Sequence, residues 1–271
     1  MVINDMFYDW YPKKGTRAEV LKMEAVKRFD VRKLVIVGVL GGVSALLGMT
    51  PLGFIPVGPT RATIMHIPVI IGAIMEGPLV GALVGLIFGF FSIFQALTNP
   101  TPVSFVFLNP LVSVVPRVLI GITSYYVFAA LRNLGNRKTL VILNVIWIAI
   151  IGYLSYGIYK NIADSQSPWL IAMNIFLIAL TAALAFLANR KFKGKALDIV
   201  ISAIVGTMTN TGLVLSLIYL IYAESFVKSL GQDPELAKKI IIGIGIANGI
   251  PETIIAILIV TSVIGALKRA E

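Results

Sequence analysis

The chain has 271 residues, 58% of them hydrophobic and 13% charged, with a mean hydropathy of +0.91 and a formal net charge of +10. Soluble domains carry about 25% charged residues, so this composition excludes a domain solvated by water alone and points to one solvated mainly by lipid. The absence of cysteine excludes disulfides, thiol nucleophiles and thiolate metal sites, and a single histidine argues against structural zinc; no cofactor is expected.

Residues 1–33 are a polar, basic lead-in. Met1 to Pro12 carries Phe7, Tyr8, Trp10 and Tyr11, rings of the kind that rest at lipid headgroups. From Thr16 to Arg28 the pattern is helical, with Leu21, Ala25 and Phe29 along one side and Glu24 four residues before Arg28. The segment reads as a solvated basic stretch lying on anionic lipid at the cytoplasmic surface. The first long apolar run begins at Leu34 and ends in Gly48-Met49-Thr50-Pro51 without an A-x-A-like site, so it reads as a retained span rather than a signal peptide.

Eight apolar segments follow, at 34–49, 63–76, 78–97, 110–131, 139–159, 168–188, 197–223 and 240–267. The sequence thus predicts an all-α integral membrane protein of about eight spans. The second segment is short for a span, which needs about 20 residues. Before it lies a loop rich in proline and glycine, Thr50 to Pro59. Asn109-Pro110, Ser167-Pro168 and Asp233-Pro234 each set a capping side chain before a proline suited to a first helical turn.

Two stretches of small residues predict close helix contacts. Gly77, Gly81, Gly85 and Gly89 recur every four residues with Ser92 on the same face, and the first span carries Gly38, Gly41, Gly42 and Ala45. In lipid such faces let a neighbouring backbone approach, because association rests on packing there. The contact of the first span is either within the chain or with another subunit.

Lys and Arg concentrate in residues 1–33, 132–138, 189–195 and 268–269, whereas the opposite loops hold only Arg61, Lys160, Lys228, Lys238 and Lys239. That asymmetry places both termini in the cytoplasm. It also accounts for the basic excess, so no nucleic acid is needed to explain it.

Arg117 in the fourth segment and Glu252 in the eighth are charges that lipid does not tolerate. Either they pair as structural glue, or they line a ligand cavity open to the outside. Asn248-Gly249-Ile250-Pro251-Glu252 favours the second, because a proline within an apolar helix frees a carbonyl and such interruptions border wet cavities in transporters. Asn210, flanked by Thr207, Thr209 and Thr211, has more hydrogen-bonding capacity than its own helix can use. His66 and Gln95 fall near the outer ends of their segments; Arg61, Phe105 and Phe107 fall in outer loops, where they gate a mouth or merely cap it. The sequence holds no G-x-x-x-x-G-K-[ST] motif for ATP and no evident paired acids or Ser-His-Asp set, so an enzyme is disfavoured.

Several phrases together resemble the substrate-binding S components of energy-coupling-factor (ECF) vitamin transporters. They are Pro51-Leu52-Gly53-Phe54-Ile55-Pro56, Ile64-Met65-His66-Ile67-Pro68-Val69-Ile70-Ile71-Gly72-Ala73, Gly77-Pro78-Leu79-Val80-Gly81, Pro116-Arg117-Val118-Leu119-Ile120-Gly121, Gly206-Thr207-Met208-Thr209-Asn210-Thr211 and the Asn248 to Glu252 run. Those around Pro51 to Ile71 are most similar to the pantothenate-type branch. The resemblance implies a membrane subunit of an ABC importer that captures a small water-soluble vitamin from outside and docks on a transmembrane T subunit with two ATPase subunits. It assigns the pocket to Arg117, Asn210, Asn248 and Glu252, with His66, Gln95 and Arg61 nearby, and the T-subunit contact to Gly38, Gly41, Gly42 and Ala45. It also implies six core spans, so that the chain divides into the lead-in (1–33), core spans 1–4 (34–131), an inserted transmembrane hairpin with basic flanks (132–195) and the last two core spans (196–271). The residues alone leave two other readings open: a proton-coupled secondary carrier using Glu252, or a membrane enzyme or assembly protein with a structural Arg117–Glu252 pair.

Overall fold

The computed structural model describes residues 17–57, 60–134, 136–163, 168–191 and 197–270, with the side chains of 17–30, 52, 54–62, 136–137, 139, 170, 173, 184, 187–191 and 268–270 outside that description. The aromatic stretch at 1–12 therefore lies outside the described residues. Nothing between Arg28 and Leu34 breaks a helix, and α1 runs unbroken from Arg17 to Met49, joining the expected lead-in helix to the first span. It ends ahead of Pro51, as the residue before a proline is biased away from helix.

The expected loop after α1 is more ordered than its composition implies. A 3-10 turn at Pro51–Gly53 leads into an antiparallel hairpin of β1 (Phe54–Val57) and β2 (Thr60–Thr63), pairing Phe54 with Thr63 and Val57 with Thr60. Pro56 is tolerated because each strand of a two-stranded sheet is an edge. The Ile64 N–H donates to the Gly53 carbonyl at 3.1 Å and closes the base of the hairpin.

Helix α2 (Ile67–Glu76) is ten residues long, and α3 (Pro78–Thr98) follows after Gly77, whose φ of 101° favours glycine. A 3-10 turn at Ser104–Leu108 precedes α4 (Pro110–Ser113), where the Leu111 N–H donates to the Asn109 side chain at 2.9 Å. The fourth apolar segment is not one helix: α5 (Val115–Leu134) starts afresh just before Pro116. Then come α6 (Asn136–Ala163), α7 (Pro168–Lys191) and α8 (Leu197–Ser229). A 3-10 turn at Pro234–Leu236, capped by Asp233, leads into α9 (Ala237–Ala270) with Pro251 inside it.

Among the described residues, six stretches are long and apolar enough to cross a membrane: Val31–Met49, Pro78–Thr98, Pro110–Leu134, Leu140–Ala163, Leu197–Ser229 and Pro234–Leu267. The protein is a multi-pass membrane protein. The second apolar segment is helical but spans only about 15 Å at 1.5 Å per residue. The described apolar part of α7 is Asn174–Ala183.

The helices pack in the sequence α3 on α5, α5 on α8 and α8 on α9, with α2 buried among them and α6 and α7 packed chiefly on each other. The glycine ribbon of α3 is the seam with α5. A Cβ at Gly81 would meet Gly121, one at Gly85 would overlap the Arg117 carbonyl oxygen, and one at Gly89 would lie 2.8 Å from the Val114 Cα. These obstacles are backbone atoms, which cannot swing aside.

Gly85→Ala is therefore expected to lower the thermal unfolding midpoint in detergent, at a cost in the range of about 1–3 kcal/mol typical of overpacking. Gly212→Ala is the control, because nothing lies within 4 Å of its Cβ position. An equal midpoint for the two variants would contradict the seam.

Candidate functional site

Two apolar clusters fill the bundle. The larger surrounds α2 and includes Ile70, Val84, Phe88, Ile120 and Val260; the smaller joins Val106, Val112, Val214, Ile218, Phe226 and Ile241. A cavity of about 660 Å³ lies where they part, with Met65 and Phe88 of the first and Val214, Ile218 and Phe226 of the second in its wall. That volume suits a small organic ligand, since such pockets run about 300–1,000 Å³.

Arg117 enters this wall from the first turn of α5. Pro116 lacks an N–H, so the carbonyl four residues earlier, that of Val112, has no helical donor. The Arg117 Nη1 donates to it at 2.5 Å. The guanidinium carbon lies 5.3 Å from the centre of the Phe88 ring and 5.6 Å from that of Phe107, within cation–π range. The side chain is only 5% exposed, yet its Nε has no hydrogen-bond partner. A buried guanidinium with spare donors is suited to an anionic oxygen, above all a carboxylate.

Glu252 enters from α9, one turn beyond Asn248, and both line the cavity. Its Oε1 accepts the Thr63 backbone N–H at 2.7 Å and its Oε2 accepts the Thr211 hydroxyl at 2.6 Å. Arg117 and Glu252 thus share one cavity without pairing: the ion pairs among the described residues are Arg32–Glu76 at 3.1 Å and Lys228–Glu224 at 3.8 Å. Asn210, 4% exposed on α8, also lines the cavity, and its Oδ1 has no partner. Gln95 is in the same wall and donates from Nε2 to the Gly48 carbonyl at 2.8 Å, tying α3 to the end of α1.

His66 stands apart from these. It is fully buried, not in the cavity wall, with Nε2 3.0 Å from the Thr207 hydroxyl oxygen. That hydroxyl also donates to the Ala203 carbonyl at 2.9 Å, and its oxygen can accept from the imidazole when the ring proton sits on Nε2. The position just before α2, rather than the outer end of a span, explains the burial. Arg61 lies in β2 opposite Pro56, and its side chain is outside the described residues. Phe107 flanks Arg117 in the wall, whereas Phe105 packs edge-on to Tyr222 with ring centres 5.8 Å apart.

Sequence reasoning did not single out the Thr63 N–H, Phe88 or the role of Ser92 in this wall. Phe88, Ser92 and Gln95 recur at helical spacing on α3, with Asn99 at its C-cap, on a stripe that meets the glycine ribbon at Ser92. That signal was present in the sequence. The Thr63 amide left none.

The small residues of α1 divide. Gly38 and Gly42 have nothing within 4 Å of a would-be Cβ, whereas Gly41 is buried with Ile87 of α3 against it and Ala45 is half-buried. Gly41 is thus an internal contact, because it lies on the side of α1 that faces α3. Among the described residues no group of three or more His, Asp or Glu is placed to hold a metal.

Thr207→Val removes the hydroxyl partner of the buried His66 Nε2. It is expected to cost about 1–3 kcal/mol, seen as a lower unfolding midpoint in detergent. An unchanged midpoint would contradict the His66–Thr207 hydrogen bond.

Known proteins resemble this chain. A family model described as "ECF transporter, substrate-specific component" matches residues 32–163 and 158–264. The pantothenic acid transporter PanT of Lactococcus lactis subsp. cremoris is 26% identical over 228 residues, 79% of this chain and 81% of that relative. The pantothenate transporter PanT of Leuconostoc mesenteroides subsp. mesenteroides is 38% identical over 77 residues, 28% of this chain and 37% of that relative.

Proposed function

Since the chain belongs to the family of ECF transporter substrate-specific components, we propose that it is the substrate-capturing membrane subunit of an ECF-type ABC importer and that its ligand is pantothenate. The observation that carries the reading is the buried Arg117, in no ion pair among the described residues and in the wall of a cavity of ligand size. Two curated relatives are pantothenate transporters by name, and pantothenate bears the carboxylate that a guanidinium recognises best. Arg117 takes the carboxylate, and Asn210, Asn248 and Gln95 supply polar contacts along the ligand. Glu252 shares the wall. His66 supports the floor from outside it.

The orientation follows the basic residues. Both termini lie in the cytoplasm and the cavity opens outward. Helices α1, α2, α3, α5, α8 and α9 form the six-helix core, corresponding to 34–131 and 196–271, and α6 and α7 form an inserted transmembrane hairpin within 132–195. Energy comes from partners, a T subunit with two ATPase subunits, because this sequence has no phosphate-binding loop. The exposed face at Gly38 and Gly42, edged by Ala45, is the docking surface for the T subunit; Gly41 supports it from behind through its contact with Ile87.

Purified protein is expected to bind pantothenate without ATP in isothermal titration calorimetry. Arg117→Ala is expected to weaken that binding by about thirtyfold or more, since truncating one partner of a buried charged pair costs about 2–5 kcal/mol. Undiminished affinity would remove Arg117 from the site. Gly42→Leu is expected to abolish cellular uptake while binding persists, and normal uptake would contradict the docking face.

A further inference from the structure

The Arg117 guanidinium is held largely by groups outside α5. Its Nη1 donates to the Val112 carbonyl, and its two ring contacts are Phe88 of α3 and Phe107. Val112 and Phe107 both belong to residues 104–113, the 3-10 turn and the short helix α4 that lie between α3 and α5 in the chain. A guanidinium is a rigid, planar fork of donors, so its worth to a carboxylate depends on its direction. Whatever fixes residues 104–113 therefore aims Arg117.

Three hydrogen bonds fix them. The fully buried Ser113 hydroxyl donates to the Phe107 carbonyl and ties the 3-10 turn back onto α4. The Asn109 Oδ1 accepts the Leu111 N–H at 2.9 Å, which starts α4, and its Nδ2 donates to the Tyr222 hydroxyl at 3.2 Å. Tyr222 stands on α8, and its ring also meets Phe105 edge-on. None of these three side chains lines the cavity, so they act on a ligand only through the residues they hold.

We propose that Ser113 is a positioning residue for ligand capture. By tying the Phe107 carbonyl to α4, it keeps the Phe107 ring and the Val112 carbonyl where they clamp the Arg117 guanidinium. The Asn109–Tyr222 pair braces the same segment against α8. The guanidinium is thus arranged before a carboxylate arrives, and little ordering is left to oppose binding. Without the Ser113 hydroxyl the Phe107 carbonyl loses that donor, the turn is free to leave α4, and the ring leaves the guanidinium. The charge stays, but its aim is lost.

The clamp rests on the reading of Arg117 as the carboxylate site, but its first readout needs no ligand. The Arg117 Nε–H is buried without a partner. In protein carrying isotope-labelled arginine it is the signal missing from Arg117→Ala. Ser113→Ala is expected to speed its exchange with solvent about tenfold, through local opening. With pantothenate as probe, Ser113→Ala is expected to raise Kd about tenfold, the low end of what a hydrogen bond to a charged group contributes. Pantothenol, in which a hydroxymethyl group replaces the carboxylate, is expected to stay within about twofold of its wild-type Kd. Tyr222→Phe removes only the brace and is expected to shift both readouts the same way by a smaller factor. Unchanged exchange in Ser113→Ala, or in Tyr222→Phe should that variant alone fold, overturns the clamp. So does undiminished affinity for pantothenate, or an equal loss for pantothenate and pantothenol, since Ser113 would then merely support the cavity. Wild-type protein that ignores pantothenate refutes the assigned ligand instead, and the exchange rates still decide the clamp.

Discussion

A helix at most half as long as any of its neighbours determines the rest of this molecule. α2 has ten residues, all but its last two buried, and it is surrounded by α1, α3, α5, α8 and α9. A segment of about 15 Å cannot fill a bundle built of helices about 30–50 Å long. At one end Glu76 meets Arg32 of α1. At the other, Thr63 and Met65 face open space. The cavity is the volume that α2 does not occupy, and the side chains of the longer helices that would otherwise have packed on it are the ones that line it.

This explains how two charges survive in an apolar bundle. A charge near the centre of a bilayer costs at least a few kcal/mol unless it finds protein or water. Arg117 uses what its own helix start provides, the Val112 carbonyl left over by Pro116, and two aromatic faces. Glu252 uses a strand amide and a hydroxyl. Neither consumes the other. The arginine consequently keeps one donor, Nε, without a partner, whereas each oxygen of the glutamate already accepts a bond. The glycine seam serves the same end, for the Arg117 backbone sits against Gly85 and any larger residue there would displace the arginine.

Much of this was legible in the sequence, for physical reasons. Arg117, Glu252, Asn210 and Asn248 stand out because lipid makes polar residues in apolar runs conspicuous, and all four line the cavity. The helix segments and the α3 ribbon were equally plain. Three things were hidden. The β hairpin was masked by Pro56 and the glycines, which signal a loop but are tolerated in a sheet made only of edges. The Thr63 amide carries no side-chain signature at all. The burial of His66 just before α2, and which of the α1 glycines turns inward, depend on neighbours that a linear pattern does not reveal. Likewise, the Arg117–Glu252 relation, pair or cavity, depended on distances and not on composition.

The central claim is that the space above α2 is a ligand pocket reached from outside. Because the chain has no cysteine, a single Ser92→Cys on the α3 wall reports on that space alone. A membrane-impermeant thiol reagent applied to intact cells is predicted to label it, and saturating pantothenate to block the labelling. A thiol that reacts equally with and without pantothenate, or that reacts only when the cytoplasmic side is exposed, would contradict the account.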